Sequence, residues 1–287
     1  MKVFVTGDKG FIGTNLTKKF QDERISFTDY QKNEIKRINI LEKDQLQYVE
    51  NVDAIIHLAA KTSITNSINN PHETYYTNIC GTLNLLDFAR DRKIKKIINI
   101  STYVYGKPAH IPIDEKHPIN PHTPYNKSKV ISENLCKYYS QDYGINIVTL
   151  RPFYIYGPLS NPHSFISSII TQIKKNGEVF LSQEGTRRDF LFIDDFTNLL
   201  LKILNNFPRG YNVYNVGYGK SHSLEDIIKI IEKILNLKIH IQYDKSIRPN
   251  DIAEMVADIT KVTKSFDWKP QISIEEGLRL ILKSYKG

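Results

Sequence analysis

Apolar and polar positions along this chain alternate between two periods. Short apolar runs of strand type cover Lys2–Thr6, 25–28, 53–60, Lys96–Ile100 and 144–150. Between them the apolar residues recur at helical spacing: Ile12, Leu16 and Phe20 after the first run, Leu83, Leu86 and Ala89 within 71–90, and Val130, Ile131, Leu135 and Tyr138 after the fourth. Strands that alternate with helices predict an α/β fold, a doubly wound parallel sheet of Rossmann type with right-handed crossovers. After Arg151 the texture changes. Gly157-Pro158, Asn161-Pro162, Gly177 and Gly185 punctuate shorter elements. A short strand is expected over 186–195, a helix ending near Leu204, and a strand over 211–217 that returns to the sheet. Two more helices, Leu224–Leu235 and 274–283, close the chain, and no repeat or linker separates its halves. The expectation is a Rossmann domain of residues 1–152 plus about 187–217, with a smaller C-terminal lobe from about 153–186 and 218–287.

Composition narrows the class. At 287 residues, 40% hydrophobic and 24% charged, the chain reads as an ordinary globular protein. No apolar run approaches the ~20 residues of a membrane helix, and residues 1–7 run from a strand into a glycine turn without the apolar core of a signal peptide. Cys80 and Cys136 form neither a metal-spacing motif nor a disulfide framework, which suits a reducing cytoplasm and gives no metal site. The net charge of +8 comes from scattered lysines, not from a basic block interleaved with aromatics. It therefore points to small polyanions such as nucleotides and not to nucleic acid.

Candidate chemistry sits at the carboxyl ends of the strands, where ligands of such sheets gather. The first strand runs into Gly7-Asp8-Lys9-Gly10-Phe11-Ile12-Gly13 and then a helix. Glycines there permit a tight turn and close backbone approach to a pyrophosphate at the helix N-terminus. Asp29 follows 22 residues after Gly7, where an acidic residue accepts from adenosine ribose hydroxyls and repels the extra phosphate of NADP. Ala59 and Ala60 end the third strand and leave room for a ligand, whereas His57, inside an apolar run, reads as a core histidine. Ser101 and Thr102 end the fourth strand. Tyr125 and Lys129 are four apart on a helix and so share a face. A lysine ammonium there would favour the phenolate and make Tyr125 a base toward an alcohol, or the acid that returns the proton.

These motifs, with Asn78 ahead of Gly81-Thr82-Leu83-Asn84, Ser101-Thr102-Tyr103-Val104-Tyr105-Gly106, Arg151-Pro152-Phe153, Arg188-Asp189-Phe190 and Arg248-Pro249, resemble in order and spacing the extended short-chain dehydrogenase/reductases. Within them the chain is similar to the NAD-dependent epimerase/dehydratase family acting on nucleotide sugars. The resemblance implies that Ser101 bonds the reacting sugar oxygen, Tyr125 exchanges its proton, and Lys129 holds the nicotinamide ribose. It implies cofactor contacts at Gly7, Gly10, Phe11, Ile12, Gly13, Asp29, Asn39, Ile40, Leu58, Ala59, Ala60, Asn78, Tyr125, Lys129 and Pro152, with Asp29 on the ribose and Asn39-Ile40 at the adenine. NAD is the implied cofactor, NADP less so. Substrate contacts are implied at Ser101, Thr102, Tyr103, Tyr154, Arg188 and Arg248, the two arginines gripping the diphosphate in paired hydrogen bonds. Arg187 is expected instead in a surface salt bridge. Two departures bear on the reaction. The family's 4,6-dehydratases carry Asp-Glu directly after the catalytic Ser or Thr; here Thr102 and Tyr103 stand there, which disfavours elimination. Tyr154 replaces the Asn usual after Arg-Pro-Phe. The expected function is C4 epimerisation of a UDP- or dTDP-hexose through a 4-keto intermediate. The alternatives are an NAD(P)H-dependent 4-keto-6-deoxyhexose reductase and, in another class, a non-catalytic NAD sensor or RNA-binding relative. The resemblance also implies a homodimer built on the helices around Asn78 and Tyr125.

Overall fold

The computed structural model describes residues 1–22, 26–28, 38–181, 184–243 and 252–284. The apolar runs form a six-stranded sheet: β1 (Lys2–Thr6), β2 (Ser26–Thr28), β3 (Ala54–His57), β4 (Lys96–Ile100), β5 (Asn146–Pro152) and, at its far edge, a strand over Tyr211–Val216. The order is β2-β1-β3-β4-β5 and then that edge strand, with β2 through β5 in parallel register, for example Thr6 beside His57 and Ile97 beside Ile147. Strands covered on both faces need apolar residues at nearly every position, which explains their unbroken runs. Helices α1 (Phe11–Asp22), α2 (Lys43–Leu46), α3 (Ile64–Asn69), α4 (Pro71–Tyr75), α5 (Gly81–Asp91) and α6 (Pro124–Tyr143) connect them, with a π-helical turn, Tyr76–Cys80, leading into α5. On one side Phe4, Ile55, Leu85, Leu86, Ile97, Cys136 and Ile147 join in a single buried cluster.

The chain divides into two compact units. The first comprises residues 1–105, 118–152 and 199–214, and the second 106–117, 153–198 and 215–287. The second unit holds β6 (Tyr154–Tyr156), β7 (Glu178–Leu181), β8 (Arg187–Phe192), β10 (Ser221–Ser223) and β11 (His240–Tyr243), so the edge strand 211–216 is β9. Its helices are α7 (Phe165–Asn176), the start of α8 (Ile193–Asn205), α9 (Leu224–Leu235), α10 (Thr260–Phe266) and α11 (Ile274–Ser284). Residues 106–117, 187–198 and 215–217, expected with the Rossmann domain, fall in this unit. For 187–198 the reason is pairing: β8 bonds to β6 and β10 in a three-stranded sheet and, among the described residues, makes no ladder with the large one.

Helix α6 shows where the local pattern and the packing disagree. Thr123 caps it by accepting from the Asn126 N–H at 3.2 Å, Pro124 opens its first turn, and Gly144 ends it at φ 61°. The apolar series read from the sequence is not its buried face, however. Ile131 and Tyr138 are 39% and 56% exposed, and the buried residues are Ser128, Lys129, Ser132, Glu133, Cys136 and Ser140.

Candidate active site

The glycine turn builds the first half of the site. Gly7 has φ +73°, and a Cβ there would lie 2.7 Å from the Ala59 nitrogen. Gly10 closes the turn by donating to the Gly7 carbonyl at 3.0 Å, and Thr14 continues into α1 by donating to Gly10 at 2.8 Å. A Cβ on Gly13 would lie 2.4 Å from the Gly7 carbonyl oxygen, so only glycine lets α1 approach β1 this closely. Beside the turn lies a cleft of about 440 Å³ lined by Gly7, Asp8, Gly10, Ile38, Asn39, Ile40, Leu58, Ala59, Ala60, Lys61 and Thr77. Seven of the residues expected at the cofactor line it. Phe11 and Ile12 lie in the first turn of α1 and Pro152 at the end of β5, away from its lining. Cleft and glycine cradle fit a dinucleotide. Gly13→Ala is accordingly expected to weaken NAD binding by at least ~10-fold, since one carbon must displace backbone at the glycine turn; fluorescence titration with NAD checks it.

Asn78 lines no part of this cleft. It is buried, its Oδ1 accepting from the Lys61 N–H at 2.8 Å and its Nδ2 donating to the Lys61 carbonyl at 3.0 Å and Ser128 Oγ at 2.9 Å. Its work is to clip the loop after β3 to α6. His57 is the core histidine expected, with Nδ1 2.8 Å from Thr6 Oγ1 and Nε2 3.0 Å from Thr82 Oγ1. Burial and the nearby Lys129 charge lower its pKa to about 3, so it stays neutral.

Ser101, Tyr125 and Lys129 all lie in the first unit, Ser101 just beyond β4 and the other two in the opening turns of α6. Asn126 Nδ2 donates to the Tyr103 carbonyl at 2.9 Å and fastens the segment after β4 to the start of α6, and Thr102 shares a side-chain hydrogen bond with Tyr125. The electrostatics differ from the sequence expectation. Burial raises the Tyr125 phenol above its usual range, with the Thr102 bond only partly opposing it. Burial also lowers the Lys129 ammonium to about 8, a shift that the Glu133 carboxylate opposes. The pair therefore rests as a phenol beside a weakened ammonium, because desolvation acts on both before either helps the other.

Sequence reasoning missed the strongest charges here. Arg151 Nε lies 3.0 Å from Glu133 Oε1, its NH2 lies 2.6 Å from Oε2, and its NH1 donates to the Tyr105 hydroxyl at 2.9 Å. Burial works against the Arg151 charge, but the Glu133 carboxylate outweighs it and holds the guanidinium above its ordinary range. A signal was available: Glu133 follows Lys129 by four, on the same face as the Tyr125 pair.

In the second unit a cavity of about 300 Å³ is lined by Tyr154, His163, Phe165, Gln172, Phe180, Thr186 and Arg188, among others. Arg188 NH1 donates to the Ile252 carbonyl at 2.6 Å. The adjoining Asp189 is buried and accepts from the Tyr218, Gly219 and Ala257 N–H groups, which fixes β8 and so the base of Arg188. Tyr154 packs edge-on to Phe190, ring centroids 5.6 Å apart. Arg187 pairs with Glu254 at 3.4 Å and Asp226 at 3.6 Å, the salt-bridge role expected of it. Asp29 and Arg248 lie outside the described residues. His110, Asp114 and His117 bring possible ligand atoms within 4.8 Å of one another. Nε2 of His117 already accepts from the Ala109 N–H, however, which leaves the proton of the neutral ring on Nδ1, a poor arrangement for a metal ion.

Sheet, glycine cradle and Tyr-x-x-x-Lys helix define a dinucleotide-dependent enzyme of the short-chain dehydrogenase/reductase kind. The chain belongs to the NAD dependent epimerase/dehydratase family, whose model matches residues 3–217. It is 32% identical to a putative UDP-glucose 4-epimerase of Methanocaldococcus jannaschii, over 99% of this chain and 98% of that one. It is 29% identical to a GDP-6-deoxy-D-mannose reductase of Pseudomonas aeruginosa, over 99% and 97%. A solved UDP-glucose 4-epimerase of Thermotoga maritima with UDP-glucose superposes with a TM-score of 0.90 at 25% identity, covering 100% of this chain and 99% of that one. Among the described residues no helix is long and apolar enough to cross a membrane.

Proposed function

We propose that this protein is an NAD-dependent epimerase acting at C4 of a UDP- or dTDP-linked hexose. The observation that carries the reading is the residue set around Tyr125. Hydroxyls of Ser101 and Thr102 and the ring of Tyr103 stand after β4, without the carboxylates that elimination of water requires. The C4 hydroxyl docks against Ser101 on binding, and Tyr125 takes its proton as the hydride leaves. Lys129 holds the nicotinamide ribose, and its position on the buried face of α6 keeps it in place. NAD bound at the glycine cradle supplies the acceptor and later the donor of hydride. The keto sugar turns over, and Tyr125 returns the proton on the other face. Arg188 and Arg248 are assigned to the nucleotide diphosphate and Tyr154 with Tyr103 to the sugar pocket, and the uncross-linked Cys80 and Cys136 accord with a cytoplasmic enzyme.

The test supplies UDP- and dTDP-hexoses with only stoichiometric NAD. Many turnovers to the C4 epimer, with no net change in nicotinamide absorbance, are expected, because an epimerase returns the hydride it takes. The relation to a GDP-6-deoxy-D-mannose reductase favours a second reading, net reduction of a 4-keto sugar. Inert hexoses together with mole-for-mole oxidation of NADH or NADPH by a nucleotide-linked 4-keto-6-deoxy sugar would establish it.

The proposed functional unit is a homodimer. Ile64, Ile68 and Tyr76, on α3 and the π-helical turn, are each at least 50% exposed, and Ile131 and Tyr138 on the neighbouring α6 face solvent with them. Such apolar side chains on adjacent helices suit an interface between copies. Light scattering is expected to give twice the chain mass, and Ile131→Glu with Tyr138→Glu to give the monomer.

A further inference from the structure

The buried group beneath Ser101 fixes the direction of its hydroxyl. Glu133 and Arg151 are 4% and 5% exposed and bound two-pronged, and a carboxylate gripped by a guanidinium in this way accepts hydrogen bonds. Tyr105 secures the far side of the guanidinium, both through its hydroxyl and with its ring centroid 5.2 Å from the Arg151 Cζ. Ser101 Oγ lies 2.5 Å from Glu133 Oε1 and is itself 3% exposed. A serine hydroxyl has one proton, and here it goes to Glu133. What Ser101 offers on its other side is lone pairs.

We propose that Glu133, gripped by Arg151, is a positioning residue that makes Ser101 a hydrogen-bond acceptor, so that the site selects a sugar presenting a C4 hydroxyl over one whose C4 substituent carries no proton. The inference rests on the nucleotide-sugar reading above and deepens it. A carbinol donates to Ser101. A ketone oxygen is itself an acceptor and meets lone pair with lone pair, and a fluorine brings no proton either. The device favours substrates that enter as alcohols to be oxidised and disfavours those that enter as ketones to be reduced. It also gives Arg151 and Tyr105 a task within the reaction, through the carboxylate they hold.

The test measures binding, not turnover. Calorimetry compares UDP-glucose with UDP-4-deoxy-4-fluoroglucose on NAD-loaded Tyr125→Phe protein, a background that stops turnover and removes the other hydroxyl competing for the C4 group. UDP-glucose is expected to bind at least ~10-fold more tightly, the usual consequence of leaving a buried acceptor without a donor. Adding Glu133→Gln, whose amide can donate to Ser101 and release its proton, should shrink the gap below about threefold. Ser101→Ala should abolish the gap, and it serves where the glutamine variant does not fold. A merely structural role for Glu133 would weaken both ligands together and leave their ratio intact. Equal binding of the two ligands in Tyr125→Phe protein, or a gap that survives in Ser101→Ala, overturns the inference while leaving the epimerase reading standing. Failure of the wild-type protein to bind either ligand overturns both.

Discussion

Tyr125→Phe is expected to lower turnover by at least ~10²-fold, the scale of a general acid–base group, while NAD affinity stays near the wild-type value. The ring sits in the first turn of α6 behind the Thr123 cap, and phenylalanine fills the same volume, so the variant should fold. What it loses is the hydroxyl that bonds Thr102 and that, in the proposed reaction, exchanges the substrate proton. Burial raises the phenol, so the resting side chain keeps its proton and can present it as a hydrogen-bond donor to a ketone oxygen. Its conversion to a base needs positive charge brought close, which the bound oxidised cofactor and Lys129 would provide together. Initial rates and a fluorescence titration with NAD separate the two effects. Near-wild-type kcat in the variant would remove Tyr125 from the chemistry.

Arg151→Met should bring the largest loss of stability. The substitution keeps much of the volume but leaves the Glu133 carboxylate 4% exposed, with Ser101 as its remaining hydrogen-bond partner among the described residues. Breaking a buried ion pair from one side costs about 3–5 kcal/mol, because the abandoned charge keeps its desolvation penalty. In a chain of this size that corresponds to a melting temperature lower by on the order of 10 °C. Coupling the change to Glu133→Leu should recover much of the loss, since an apolar pair carries no such penalty. Thermal and urea unfolding of the single and double variants check this. A single variant within about 1 kcal/mol of wild type would show the pair to be solvated and its hold on Ser101 weak.

The helix and strand order, the glycine turn and the Tyr125–Lys129 spacing were legible in the sequence because each rests on neighbours within one or two turns of chain. A strand buried on both faces must be apolar throughout, and a cradle that rejects a Cβ must be glycine at Gly7 and Gly13. Five parallel strands then bring Gly7, Ala59, Ala60 and Ser101 to their carboxyl ends without further information. Residues far apart in sequence settled the rest. Local periodicity made α6 a helix, but the apolar positions that carry it, Val130, Ile131, Leu135 and Tyr138, lie partly or largely outside. The face turned inward is polar, because Asn78, 50 residues before Ser128, and Arg151, 18 residues beyond Glu133, supply the partners that let such a face be buried. In the same way β8 was readable as a strand, but its place beside β6 and β10 depends on which edges find hydrogen-bond partners. The sequence by itself determined the elements and the type of chemistry. The tertiary structure decided which side chains are desolvated together, and with that the charge on Lys129, the proton on Tyr125 and the direction in which Ser101 points.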